Sequence, residues 1–516
     1  MDIPVLAWIL FAVIVVAAGV VAFAFVRFVF HAREPEKTFT SVVAVTALMF
    51  ALFTVVLVPV DVYNVSSTSD EHGNARLSPA DVSSRMTSVR DLYLVLYGVM
   101  LFFLFIAIPF AYFYYEEDHP DITVNARVAS ACKYSISVLV IVVILVVIGI
   151  VLSGAKPDVK DDQAEAYLNH LLDSETKTEA SISFAIASLT VIGFMCVVTF
   201  TGCGFGAMPV AMIAGSIHLE SESRDVTESL LTTKEKARAI QAKYISGRRI
   251  SKKDQKALDM LRRSEKQLTR RSARIQATRN TCWAKMTRFL RPLQILFGIV
   301  FLLLTLFLTI SLIIGGVDRL KHSVCGYNCG WVLSRPQISN PFDMLMVKLA
   351  TVFPLDYVIL LGVYLFTFLA TAAGLVRVSI RCFCFLMYRV RKAATVPQGV
   401  LLSVVIISLA FMAVNVMFVQ LAPQYALFGS QVYALPDGST KPCSIEAPIE
   451  AGCVMSQVGR FVTRISIKFP VLGTVFFVGN AGVIVMTLVS MLIAALRGRE
   501  TATDWNGSSD SDDDYW

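Results

Sequence analysis

The feature that most constrains this chain is a recurrence. Long, nearly uncharged apolar blocks alternate with segments that hold most of its charge. The blocks lie roughly at 4–28, 40–63, 91–114, 132–153, 181–203, 293–315, 356–379, 398–420 and 470–496. Each is near the ~20 residues with which a helix crosses about 30 Å of hydrocarbon. One such block could be the buried helix of a soluble core. Nine in a row argue against that, because a soluble chain of 516 residues would carry more charge and divide into several domains. Here 55% of residues are hydrophobic, 16% are charged, and the mean hydropathy is +0.64. The expected fold class is an all-α polytopic membrane protein, with about nine transmembrane helices and a cytosolic helical hairpin. The expected division is 1–203 for helices one to five, 204–292 for a basic cytosolic helical loop, 293–496 for helices six to nine, and 497–516 for an acidic tail that is disordered by composition.

Charge beside the blocks sets an orientation. The first block has no basic segment before it and exceeds a signal-peptide core, so cleavage is not expected. Arg27, Arg33 and Lys37 follow it, which favours an outside or luminal N-terminus. An odd number of spans then places the C-terminus in the cytosol. The cytosolic loops become 29–39, 116–131, 204–292 and 380–397. The last carries Arg381, Arg389, Arg391 and Lys392, and Arg279, Lys285, Arg288 and Arg291 end the long loop. Glu116 and Glu117 open the exception, 116–131, but acidic residues weigh little in this rule. The opposite loops are 64–90, 154–180, 316–355 and 421–469.

Asn64-Val65-Ser66 is a glycan-acceptor pattern in the first of those luminal loops, just beyond a span expected to end near Asp61. Asn64 is therefore the glycosylation candidate, although close to the bilayer. Asn506-Gly507-Ser508 lies in the cytosolic tail and is expected to stay unmodified. Cys325, Cys329, Cys443 and Cys453 also fall in luminal loops, where thiols can oxidise. Cys443 and Cys453 close CSIEAPIEAGC and are expected to pair. Cys325 and Cys329 could pair with each other or with that loop. A metal site is disfavoured, because no histidine cluster accompanies these cysteines. Cys382 and Cys384 abut a basic boundary, as free or palmitoylated thiols.

The long loop is the one sizeable soluble element. Glu228–Arg279 reads as helix, broken at Ile245–Ser251, where Gly247 marks a turn. Leu261, Leu268 and Ile275 recur every seven residues, a thin stripe beside Leu258. These are the partner-contact candidates. They could bury against the preceding helix (Leu230, Leu231 and Ile240), a second copy of the chain, or another protein. The basic charge suits a solvated face, anionic lipid headgroups or an acidic partner. Nucleic acid is not expected. The tail SSDSDDDYW, 508–516, offers Ser508, Ser509 and Ser511 beside aspartates, though a solvating role is simpler.

No catalytic set is visible, so an enzyme is not expected. The histidines share no metal spacing, and GxxxxGK[ST] and HExxH motifs are missing. Gly202–Gly206, GCGFG, follows a membrane block rather than a strand, which suits close helix packing better than nucleotide binding. The informative residues are polar groups at block ends. Asp61 follows Pro59, Asp356 follows Pro354, and Gln420 and Gln424 flank the end of the eighth block. Carboxylates at membrane depth are costly, so they face a cavity or a polar partner, or cap a helix. These four are the candidates for an intramembrane polar pathway.

LVPVDVY (57–63), IPFAYFYYEE (108–117), DQKALDMLRR (254–263), FPLDYV (353–358), LAPQYALFGSQVY (421–433) and the Cys443–Cys453 pair occur in an order that resembles the limb-region-1 membrane protein family, in its branch for lysosomal cobalamin transport. The likeness runs from the first span to the acidic tail. Cys325 and Cys329 depart from the family pattern. The resemblance implies a nine-span fold with a large cytosolic loop, a lysosomal location, cobalamin as the transported ligand, and partnership with an ABC half-transporter. It implies no cobalamin-contacting residue. Other branches of the family resemble endocytic receptors or signalling scaffolds that bind a protein ligand such as a lipocalin. A visible inverted repeat, common in carriers, is missing, which weakens the carrier reading, but both carrier and escort of the ABC transporter stay open.

Overall fold

The computed structural model describes residues 3–29, 38–70, 72–117, 123–152, 177–214, 218–242, scattered positions between 255 and 272, and 291–496 apart from 353, 383–384, 389, 391–394, 436–438 and 449–450. Ile275, Gly247, Cys384, Asn506, the acidic tail and most of the 154–180 loop lie outside the described residues.

Helices dominate because a bilayer offers the backbone no hydrogen-bond partner but itself. In order they are α1 (Ile3–Val29), α2 (Thr38–Ser66), α3 (Pro79–Phe102), α4 (Ile108–Glu116), α5 (Val124–Leu152), α6 (Lys177–Cys196), α7 (Gly202–Ala214), α8 (His218–Ala242), α9 (Arg291–His322), α10 (Pro341–Ala350), α11 (Leu355–Val378), α12 (Pro397–Leu421), α13 (Pro423–Phe428), α14 (Gln457–Lys468) and α15 (Pro470–Leu496). Two π-helical turns, Phe103–Ala107 and Val197–Thr201, join α3 to α4 and α6 to α7. The first precedes Pro109, whose ring leaves no room for an ordinary α-helical bond to the carbonyl four residues back.

Among the described residues, eight continuous helical stretches are long and apolar enough to cross a membrane. They coincide with eight of the nine expected spans. The ninth expected span, 132–153, falls in the 29-residue helix α5. The expected loops are not all irregular. α10, α13 and α14 occupy two of them, and each is too short to span a bilayer. Two antiparallel strand pairs were not foreseen: β1 (Ile380–Cys382) with β2 (Phe385–Tyr388), and β3 (Val432–Ala434) with β4 (Thr440–Pro442).

The chain forms two compact units. One comprises Met1–Gly206 and Leu304–Met491, the other Ala207–Leu303 and Leu492–Trp516. At the centre of the first unit stands α12, with 21 of its 25 residues buried. It packs against α2, α6, α4 and α11, while α2 also packs against α1 and α3. Bare glycines permit the closest crossings. A Cβ on Gly204 would lie 1.8 Å from the Ala370 carbonyl oxygen, and one on Gly374 would lie 1.9 Å from that of Phe200. The GCGFG stretch is thus a packing surface. Nearby, the buried Thr201 and Thr371 hydroxyls bond to each other at 2.8 Å.

The connections gather at two ends of this unit. Segments from 64–90, 323–355 and 421–457 bond to one another at one end. At the other end, Tyr112 and Tyr388 share a 2.8 Å hydroxyl bond, and Gln398 Nε2 donates to the Tyr115 carbonyl at 3.4 Å. For the described segments, this sorting matches the division of loops expected from the order of the spans.

In the second unit, α8 buries Val226 and Ala237, with Leu230 and Ile240 half-buried between and after them. Helical residues between 255 and 272 include buried Leu258 and half-buried Leu261 and Leu268. Lys234 Nζ lies 3.9 Å from Glu265 Oε1, which brings the two stretches side by side. The expected turn at Ile245–Ser251 lies outside the described residues.

Candidate functional site

The site is assembled around α13, six residues that follow the central helix. α12 stops at Leu421, and Pro423 opens a new helix whose first amides have no intrahelical acceptor. Asp343, in the first turn of α10, supplies both acceptors. Gln424 N–H donates to its Oδ2 at 3.1 Å and Tyr425 N–H to its Oδ1 at 2.9 Å. Asp343 is placed by its own helix start, where Asn340 Oδ1 accepts from Phe342 N–H and Pro341 follows. Asn340 Nδ2 also donates to the Leu421 carbonyl at 2.8 Å, tying α10 to the end of α12.

The other faces of α13 are held equally closely. Tyr425 donates its hydroxyl to Asp356 Oδ2 at 3.1 Å, from the first turn of α11. Gly429 ends the helix with φ +61° and lies against Ser66, whose hydroxyl accepts from Ser430 N–H at 3.1 Å. Ser456 bonds the last carbonyls of α13: its N–H donates to Leu427 and its hydroxyl to Ala426. The same hydroxyl accepts from Gly459 N–H at 3.0 Å and so caps α14. Asp61, fully buried on α2, adds a second cap, accepting Val458 N–H at 3.0 Å. Gln431 then locks the exit: Nε2 donates to the Val65 carbonyl and to the Thr68 hydroxyl, and Oε1 accepts Val454 N–H.

Two disulfides border this end. Cys443 pairs with Cys453, and Cys325 with Cys329, with Cα atoms 5.7 Å and 5.6 Å apart. Gln424 Nε2 donates to the Cys443 carbonyl at 2.9 Å. Beside them, Glu446 accepts the Ser334 hydroxyl and lies 3.4 Å from Arg335 Nε.

Of the four polar-pathway candidates, Asp356 and Gln424 meet at α13. Asp61 caps α14 instead. Gln420 turns toward α15, where its Oε1 accepts from Asn480 Nδ2. Asn64 occupies the last turn of α2, since that helix runs past Asp61 to Ser66, and it is half-buried. Leu261 and Leu268 lie in the second unit, not at this site.

Several contributors were not anticipated: Asp343, Asn340, Gln431, Ser456, and the buried Asp318, which accepts from Gln337 and Ile338 N–H and faces His322 Nδ1 at 2.8 Å. The sequence signal was the run Asn340-Pro341-Phe342-Asp343, a helix start with an acidic first turn. Asp343 carries the clearest electrostatic signature. Burial pushes its carboxyl up to about 6, against the opposing pull of the Tyr425 and Gln424 amides and of Arg319. Carboxylates thus fasten α13 to α10 and α11, and α14 to α2. No cluster of metal-ligating side chains occurs among the described residues.

A family model described as LMBR1-like membrane protein matches residues 6–291. The chain belongs to that family. Relatives of this LMBR1-like protein extend the likeness to its whole length. It is 35% identical over 508 residues to a "Probable lysosomal cobalamin transporter" of Dictyostelium discoideum, covering 98% of each chain. It is 32% identical to a protein of the same name in Nematostella vectensis, over 98% of this chain and 97% of the relative. It is 29% identical to the "Lysosomal cobalamin transport escort protein LMBD1" of Gallus gallus, over 98% and 96%. No solved structure matches.

Proposed function

We propose that this LMBR1-like protein resides in the lysosomal membrane and supports export of cobalamin to the cytosol, as an escort of a transporter rather than as the conduit. The observation that carries the lysosomal cobalamin reading is the end-to-end likeness to relatives bearing those names, at 35% identity in the first. Cells that lack the protein should retain cobalamin in their lysosomes, and re-expression should release it. Normal release in its absence would remove the assignment.

The escort role draws support from packing. Cobalamin is a corrin macrocycle with an appended nucleotide, far wider than a side chain. The axis of the first unit is filled by α12, and a cavity of about 500 Å³ lies at the α3–α14 edge instead. The chain carries no nucleotide-binding motif to drive transport. The partner that suits it is an ABC half-transporter, and its own part is non-catalytic.

In this reading the α13 end faces the lumen, with the N-terminus, and the α8 hairpin and C-terminus face the cytosol. The disulfides at the α13 end suit an oxidising compartment. Cysteine labelling of intact lysosomes from outside should reach residues introduced at 235–242 and leave those at 72–80 untouched. The reverse pattern would invert the orientation.

A further inference from the structure

Four spanning helices of the first unit carry buried polar side chains that the fold leaves incomplete. On α2, Asp61 caps α14 through Oδ2, but its Oδ1 is buried without a hydrogen-bond partner among the described residues. On α12, Asn415 Nδ2 makes only long bonds, to the Tyr97 hydroxyl at 3.4 Å and the Thr54 hydroxyl at 3.5 Å, and its Oδ1 accepts nothing. The buried hydroxyls of Tyr93 on α3 and Tyr364 on α11 are likewise unpartnered, and so is Asp356 Oδ1. These groups are neighbours. Tyr93 interacts electrostatically with Asp61, Tyr97 and Tyr364, and Tyr357 does so with both carboxylates. A cavity of about 110 Å³ reaches Tyr93, Tyr97 and Val458, and it shares Gln457 and Arg460 with the wider cavity at the α3–α14 edge.

The polar column has a direction. Asp61 and Asp356 stand at the α13 end, Tyr93 and Tyr364 lie further in, and Thr54, Tyr97 and Asn415 lie deepest. Three residues beyond each of that last group, Ala51, Met100 and Met412 join Leu104, Ile186 and Leu189 in a buried apolar cluster. The column is therefore blind, closed by apolar packing inside the helix bundle. Its unmet groups are chiefly acceptors. A carboxylate or amide oxygen cannot donate, so whatever completes it must bring protons or positive charge. The ion pairs among the described residues involve Asp91, Glu265, Asp318 and Glu446, and neither Asp61 nor Asp356. Arg460 acts on Asp61 without pairing with it, and the buried Arg460 Nε has no hydrogen-bond partner among the described residues. Carboxylates at membrane depth are costly unless neutralised, and several unsatisfied buried groups in one place point to a bound water or ion.

We propose that this blind cleft binds a monovalent alkali cation. Asp61 supplies the charge, and the oxygens of Tyr93, Tyr364 and Asn415 supply further ligands, directly or through water. All of these are oxygens, as a hard cation prefers. No three His, Cys, Asp or Glu side chains meet among the described residues, so a divalent ion would lack neutralising charge. The apolar floor means that the ion is held rather than passed through. This site is independent of the cobalamin assignment.

The test uses the full-length protein in nanodiscs. Binding of radioactive sodium is read by scintillation proximity, with choline chloride holding the ionic strength constant. Sodium should bind saturably. Tyr93→Phe with Tyr364→Phe removes two hydroxyls that make no hydrogen bond in the fold. That pair should leave the thermal midpoint in choline unchanged or higher while weakening sodium binding about tenfold. Asp61→Asn keeps an acceptor for the α14 amide and should abolish the binding. Potassium that displaces the sodium would uphold a cation site that does not select between the two. Saturable binding that ignores all three substitutions would overturn the proposal. So would the lack of saturable binding, which would leave the cleft to water alone.

Discussion

Asp343 shows what one residue does in this molecule: a buried carboxylate satisfies two backbone amides that lie 81 and 82 residues ahead. That link was illegible in a single sequence, because nothing local ties an acid in one loop to a helix start in another. Asp61 and Asp356 were noticeable, since prolines flag them at the ends of apolar blocks. Their partners were not. Asp343 also has a pH consequence. Its carboxyl rises from 3.8 to about 6 on folding, so the folded state binds a proton that the unfolded state releases. The associated stability is fully present below about pH 4 and is lost as pH rises through 6. By the usual conversion this amounts to roughly 3 kcal/mol. Thermal unfolding of wild type relative to Asp343→Asn should therefore worsen for wild type between pH 4 and pH 6.5. A difference that stays flat with pH would mean that Asp343 is not the titrating group. At the same scale, peptide mapping without reductant should recover Cys443 linked to Cys453, and free thiols there would refute the pairing.

Helices as elements were legible wherever they are long. A run of ~20 apolar residues leaves the backbone one solution in a bilayer. α10, α13 and α14 escaped because they are shorter than a span and lie between polar residues. In α14 the apolar positions 458, 462 and 465 do carry a helical period, but within a segment expected as loop. The glycine crossings illustrate packing at this scale. Gly374→Ala would place a Cβ against the Phe200 carbonyl, forcing α11 away from the π-helical turn, at a cost of about 1–3 kcal/mol. Thermal unfolding in detergent should show the loss, and an unchanged midpoint would mean that the helices are not in contact. The hairpin offers a second test. Leu261 and Leu268 are half-buried, so Leu261→Asp with Leu268→Asp should remove roughly 1–2 kcal/mol each. Limited proteolysis should then cut between 228 and 272 while the membrane helices stay protected. Wild-type resistance would show that the stripe buries nothing. An intact hairpin that no longer captured the transporter would make the stripe a docking surface.

At the scale of the whole molecule, the first unit is organised about a buried helix with its loops sorted to two ends, one of them stapled by carboxylates, serines and disulfides. The sorting was legible, since it needs only the order of the spans. The purpose of the stapled end was not, because it exists only when α2, α10, α11 and α14 converge. A packed axis suits the proposed role of steadying or delivering a transporter more than that of opening a passage. The most direct measurement is cobalamin flux in proteoliposomes containing this protein alone, then with the ABC half-transporter and ATP. The expected result is flux no greater than in protein-free vesicles for the protein alone, and ATP-dependent release once the transporter is present. Cobalamin crossing the membrane with this protein alone and no nucleotide would contradict the escort role and establish a carrier.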